Sequence, residues 1–187
     1  MKKKAIIISI KGQKLTLKEK ILLSKESPWG LILFKRNIKS FNQVKKLITN
    51  IKKLTRDKKF PVLIDEEGLP VTRLSSIINH NIDANYFGYL YEVNRKVSLK
   101  LYESYLASLC KKLRALGINI NTIPVLDVLR KNTNKIIGKR SFSKNEKIVK
   151  KFGEETIKKC HSNNIATVIK HIPGHGCSSL DSHLCLP

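Results

Sequence analysis

Residues 166–183 read Ala166-Thr167-Val168-Ile169-Lys170-His171-Ile172-Pro173-Gly174-His175-Gly176-Cys177-Ser178-Ser179-Leu180-Asp181-Ser182-His183. The stretch opens as a short apolar, β-branched run suited to a strand buried on both faces. It closes as a loop, because Pro173 and two glycines forbid a regular helix. Between residues 170 and 183 lie Lys170, His171, His175, Asp181 and His183. A single histidine at a strand end is more often a hydrogen-bonded structural residue than a catalyst. Five ionisable groups in one loop reverse that expectation.

The same arrangement recurs upstream. Strand-like runs cover 5–10, 30–34, 62–65, 118–126 and 166–171, and polar clusters follow their carboxyl ends. These clusters are Lys35-Arg36-Asn37, Asp65-Glu66-Glu67-Gly68 and, beyond the fourth run, Arg140. Helical segments lie between the strands. Thr16 is placed to cap a short helix through Ser24, with Glu19 completing a capping box. Ser40 is placed to cap another, where Val44, Leu47, Ile48, Ile51 and Leu54 recur at helical spacing. A longer helix is expected over 93–116 with Gly117 as its stop, and another over 144–162 with Ile148, Val149, Phe152, Ile157 and Cys160 on its apolar side. Alternating strand and helix predicts an α/β fold with a parallel sheet and right-handed crossovers. A doubly wound sheet would bring a Gly-rich phosphate loop, and neither G-x-G-x-x-G nor G-x-x-x-x-G-K-[ST] occurs. Polar clusters at the carboxyl ends of several strands instead favour a (β/α)8 TIM-barrel type, whose catalytic face is built there. At 187 residues the chain is short of the roughly 250 such a barrel takes. The expectation is therefore one incomplete barrel domain over 1–187, ending after about five strands.

Composition restricts the alternatives. The 41% hydrophobic and 27% charged residues describe a globular chain, and no run approaches the roughly 18 apolar residues of a spanning helix. The net charge of +23 comes from 37 Lys plus Arg against 14 Asp plus Glu. Only 7 of those 37 are Arg, and the lysines are scattered along helical segments, from the basic start at Met1–Lys4 onward. Dedicated phosphate or base readers favour Arg forks with interleaved aromatics, so no specific nucleic-acid partner is expected. A basic polyanion-binding module on an α/β scaffold is the runner-up reading. Cys110, Cys160, Cys177 and Cys185 form no C-x-x-C pair, and residues 5–10 are too short for a signal-peptide core, which points to free thiols in the cytoplasm.

The loop over 170–176 followed by Asp181-Ser182-His183 resembles the hallmark of glycoside hydrolase family 3, most closely its bacterial β-N-acetylglucosaminidase branch. Four further blocks agree in order. They are Gly30-Leu31-Ile32-Leu33-Phe34-Lys35-Arg36-Asn37, Asp65-Glu66-Glu67-Gly68 with Val71 and Arg73-Leu74, the fourth strand through Pro124-Val125-Leu126-Asp127-Val128, and Ile137-Gly138-Lys139-Arg140-Ser141-Phe142. The resemblance implies removal of non-reducing β-linked N-acetylglucosamine from peptidoglycan fragments during cell-wall recycling, with retention and without a cofactor. It implies that Asp65, Arg140, Lys170 and His171 bind hydroxyls of the sugar in the −1 subsite. It also implies that Asp181 and His183 form an acid/base dyad. An imidazole, with an ordinary pKa near 6.5, can donate a proton to a leaving oxygen and later accept one from water, and a nearby carboxylate can fix its tautomer.

The retaining reaction also needs a carboxylate nucleophile. The family carries it on a loop after the seventh strand, so no residue of this chain matches it, and Glu66, Glu67 and Asp127 are not assigned that role. Two departures stand out: Leu69-Pro70 replaces the usual Gly-Arg, and Ile8-Ser9 stands where an acidic residue is common. An inactive fragment, or a split hydrolase completed by a separate C-terminal half, is the alternative, and exposed strand edges would make the isolated chain prone to associate. A second rival is tetrahedral zinc held by His175, Cys177, His183 and Cys185.

Overall fold

A computed structural model describes residues 3–79 and 81–186; Met1, Lys2, His80 and Pro187 lie outside the described residues, as does the first part of the basic N-terminal run. Five strands, β1 (Lys4–Ile8), β2 (Pro28–Leu33), β3 (Val62–Ile64), β4 (Ile120–Asn121) and β5 (Ala166–Thr167), form one parallel sheet in sequence order. Helices α1 (Leu17–Lys25), α2 (Phe41–Leu54), α3 (Ala84–Val93), α4 (Arg95–Leu116) and α5 (Glu146–Ser162) make the crossovers. This is the α/β arrangement of a (β/α)8-type fold, with five of its strands present among the described residues.

The local reasons match the residues. Thr16 and Glu19 form the reciprocal capping box at α1, and Ser40 accepts from the Gln43 N–H at α2. The long helix expected over 93–116 forms as α4, Arg95–Leu116, while the helix before it, α3, was not expected. Asn94 leaves the helical region at φ −150° and ψ 97°, and its side chain caps α4. An Asn that can bond its own downstream N–H competes with helix continuation, so α3, capped by Asp83, turns away there. The fourth strand is also shorter than expected. Regular pairing covers Ile120–Asn121, and one further bridge joins Val125 to Lys170.

Leu31, Leu33, Val62 and Ile64 are buried at the centre of the sheet, against Val44, Leu47, Ile48 and Ile51 of α2 and Leu106, Leu109 and Leu113 of α4. A second cluster is aromatic. Phe142 stacks on Phe152 with centroids 4.8 Å apart, and Tyr102 meets both edge-on. Because the Thr156 hydroxyl donates to the Phe152 carbonyl, the buried Tyr102 hydroxyl is the donor in its 2.7 Å bond to Thr156. This cluster anchors the segment that carries Arg140. Gly88 on α3 lets that segment approach closely: a Cβ there would lie 1.7 Å from the Phe142 carbonyl oxygen.

Candidate active site

The carboxyl ends of β3, β4 and β5 converge on one polar cluster. Side-chain alternation past β3 sends Asp65 and Glu67 to one side and Glu66 to the other. Asn121 enforces that geometry, since its amide accepts from the Glu66 N–H at 3.0 Å and donates to the Glu66 carbonyl at 2.8 Å. Glu66, fully buried, accepts from the Thr72 hydroxyl and the N–H groups of Arg73 and Leu74, and so shapes the loop after β3.

On the other side, Asp65 accepts from Thr122 at 2.5 Å and pairs with Arg73 at 3.3 Å and Lys170 at 3.6 Å. Burial opposes its charge, but the Thr122 hydroxyl, Lys170 and Arg73 outweigh burial and hold the carboxyl below its ordinary value. Glu67 carries two cations. Arg140 grips it with two parallel bonds of 2.8 and 3.0 Å, and Lys170 reaches it at 2.5 Å. Arg140 is oriented from behind by Ser141, whose hydroxyl donates to the Asp127 carbonyl at 2.6 Å, and by the stacked ring of Phe142.

His171 joins the cluster through both ring nitrogens. Nδ1 lies 2.5 Å from Asp127 Oδ2, and Nε2 lies 3.5 Å from an Arg140 guanidinium nitrogen. A guanidinium only donates, so Nε2 accepts and the proton sits on Nδ1, facing Asp127. The other Asp127 oxygen accepts from the N–H groups of His175 and Gly176. Burial raises the Asp127 carboxyl, but these bonds outweigh it and hold it below its ordinary value. Gly176 is required where it stands, because a Cβ would fall 2.3 Å from the Val128 carbonyl oxygen.

Asp181 and His183 sit further along the same loop. Asp181 Oδ1 accepts from the His183 backbone N–H at 2.9 Å and lies 2.7 Å from ring Nδ1. The backbone bond first, then the ring, keeps the Asp181 carboxyl below its ordinary value. With Nδ1 committed, the Nε2 edge of a ring 72% exposed is the one presented to solvent. His175 links the two groups: its Nε2 accepts from the Ser182 N–H at 3.3 Å, its ring centroid is 6.1 Å from that of His171, and its buried Nδ1 has no partner among the described residues.

The structure therefore brings Asp65, Arg140, Lys170 and His171 together, with Asp181 and His183 further along the loop that follows His171. Residue reasoning missed Glu67, Thr122, Asp127 and His175 as the groups that hold this set in place. Asp127 and His171 are 44 positions apart, and no spacing pattern announces such a pair. Among the described residues no three His, Cys, Asp or Glu side chains converge as metal ligands, so His175, Cys177, His183 and Cys185 do not assemble the tetrahedral site. The Arg36 side chain donates to Ser9 Oγ and the Ile10 carbonyl, both at 3.1 Å. A cleft of about 690 Å³ lies at the opposite end of the strands, lined by Lys3, Ser27, Pro28, Arg56, Asp57 and Phe60, and holds none of these groups.

A parallel α/β sheet of barrel type, with charged residues from three strand ends meeting in one cluster, is the plan of an enzyme whose chemistry sits on the carboxyl face. Residues 3–187 match the glycosyl hydrolase family 3 N terminal domain, and the chain belongs to that family. Curated relatives include beta-hexosaminidases of Stenotrophomonas maltophilia, 30% identical over 96% of the chain, and of Thioalkalivibrio sulfidiphilus, 32% identical over 97%. The chain spans about half of each, 52% in both cases. Among solved structures, NagZ from Neisseria gonorrhoeae in complex with N-trifluoroacetyl-D-glucosamine superimposes with a TM-score of 0.88 at 29% identity, over 99% of this chain and 54% of that one. A family 3 β-N-acetylglucosaminidase from Paenibacillus gives 0.81 at 27% identity, over 95% and 33%.

Proposed function

We propose that this chain supplies the sugar-binding and acid/base part of a β-N-acetylhexosaminidase acting on non-reducing β-linked N-acetylglucosamine of peptidoglycan fragments, in cytoplasmic cell-wall recycling. The observation that carries the reading is the Asp181–His183 contact of 2.7 Å beside a strand end that presents Lys170 and His171. In this scheme Asp65, Arg140, Lys170 and His171 hold the hydroxyls of the sugar ring. His183 Nε2 protonates the leaving oxygen and then deprotonates water, and Asp181 keeps the ring's other nitrogen protonated. Asp65, Glu67 and Asp127 are committed to cations, hydroxyls or N–H groups of the cluster, so none is assigned the nucleophile. That carboxylate is proposed to come from the half of the relatives that this chain does not span, whether linked to it or on a separate polypeptide.

The polyanion-binding alternative draws no support from the arginines of the strand-end cluster. Arg73 and Arg140 turn inward to Asp65 and Glu67, while the exposed Arg36 is held to Ser9 and the exposed Arg95, Arg114 and Arg130 are spread apart along the chain.

The test is release of a chromogenic phenol from an aryl β-N-acetylglucosaminide, by the chain alone and with a polypeptide covering the remaining half. Activity that needs the added half and falls roughly 10²–10⁴-fold in His183→Ala is expected. Activity from the 187-residue chain alone, lost in His183→Ala, would overturn the assignment of the nucleophile to the other half. No turnover from the combined halves, with salt-resistant nucleic-acid binding in its place, would overturn the hydrolase reading.

A further inference from the structure

We propose that Asp127 is a positioning residue that sets both arms of the site at once: one carboxylate oxygen fixes the His171 ring, and the other fixes the loop that carries Asp181 and His183. The functional meaning of the second arm rests on the dyad reading above; the geometry does not.

Asp127 is only 3% exposed and sits where three segments meet. Its carbonyl accepts from Ser141, beside Arg140. Its Oδ2 faces His171 Nδ1, and its Oδ1 takes the N–H groups of His175 and Gly176. The second arm continues through the His175 ring, which receives the Ser182 N–H between Asp181 and His183. Close passage of Gly176 over Val128 keeps that loop seated on the segment that carries Asp127. Hydroxyl-binding His171 and the acid/base loop therefore share one buried anchor. Substrate alignment to the tolerance catalysis needs depends on such shared support.

The two oxygens can be separated chemically. In Asp127→Asn the amide oxygen is held by two backbone N–H groups, so the amide NH2 faces His171 Nδ1. A donor there removes the proton from Nδ1 and moves it to Nε2, against Arg140. Asp127→Ala releases both arms.

The test uses ¹⁵N–¹H long-range correlation of the imidazoles in the 187-residue chain, at a pH where free imidazole is neutral, together with backbone amide spectra. Wild type is expected to hold a proton on His171 Nδ1. Asp127→Asn is expected to transfer that proton to Nε2 while leaving the His175 and Gly176 amides in place. In Asp127→Ala the amides of 175–176 and of 181–183 are expected to shift together and exchange faster. A wild-type His171 without a proton on Nδ1 overturns the first arm and requires no variant to fold. Unmoved 181–183 amides in a folded Asp127→Ala overturn the second. None of these readouts needs turnover, so a failure of the hydrolase reading shows only in the phenol-release assay.

Discussion

Glu67 is 5% exposed and neutralises Arg140 and Lys170 together. Glu67→Gln would leave those cations facing each other in a site with little water. The expected cost is about 3 kcal/mol, the low end for breaking a buried pair, read as a lower urea midpoint at unchanged slope. A loss under about 1 kcal/mol would class the pair with solvent-exposed ones. Asp65 and Asp127 have carboxyls held below their ordinary values in the folded state. Each therefore contributes stability above its unfolded value, near 3.9, and loses it as pH falls through the folded value. Urea midpoints should be flat near neutrality and drop below about pH 4. Asp127→Asn should be less stable at neutral pH and show a shallower acid slope, and an unchanged slope would contradict the assignment.

At the scale of the element, α3 is the helix the periodicity did not announce. Asn94 ends α3 and caps α4, so the two helices are divided at one residue. The docking of α3 depends on the missing side chain of Gly88, where an added methyl meets backbone that cannot rotate away. Gly88→Ala is expected to cost about 1–3 kcal/mol, as overpacking does, and to speed amide exchange at 140–142. Exchange confined to α3 would show that the Arg140 segment is held without it. The capping box at Thr16 and Glu19 was legible because its partners are three residues apart. The Asn121 bridge to Glu66 was not, because it spans 55 positions.

For the whole molecule, the outer strands are the exposed ones. In the edge strand β1, Ile6 and Ile7 are 51% and 43% exposed, beside Trp29 of the neighbouring β2 at 41%, and Val168 and Ile169 follow the other edge, β5, at 40% and 42%. Contiguous apolar surface along unpaired strands drives association. Light scattering of the 187-residue chain should show oligomers that grow with concentration, and a polypeptide covering the remaining half should suppress them. A monomer that unfolds cooperatively across that concentration range would contradict this.

The strand–helix alternation, the helix caps, the strand-end clusters and the ordered blocks of the family were all written in residues close together in the chain. Periodicity and capping are local physics, and a short motif carries its own spacing. What the chain alone did not reveal was how those clusters are held. Glu67 bridging Arg140 and Lys170, Asp127 shared between His171 and the loop that carries Asp181 and His183, and Asn121 aligning the end of β3 join residues tens of positions apart. Only the parallel pairing of strands brings such groups within hydrogen-bonding distance, because side-chain electrostatics act through space and not along the chain.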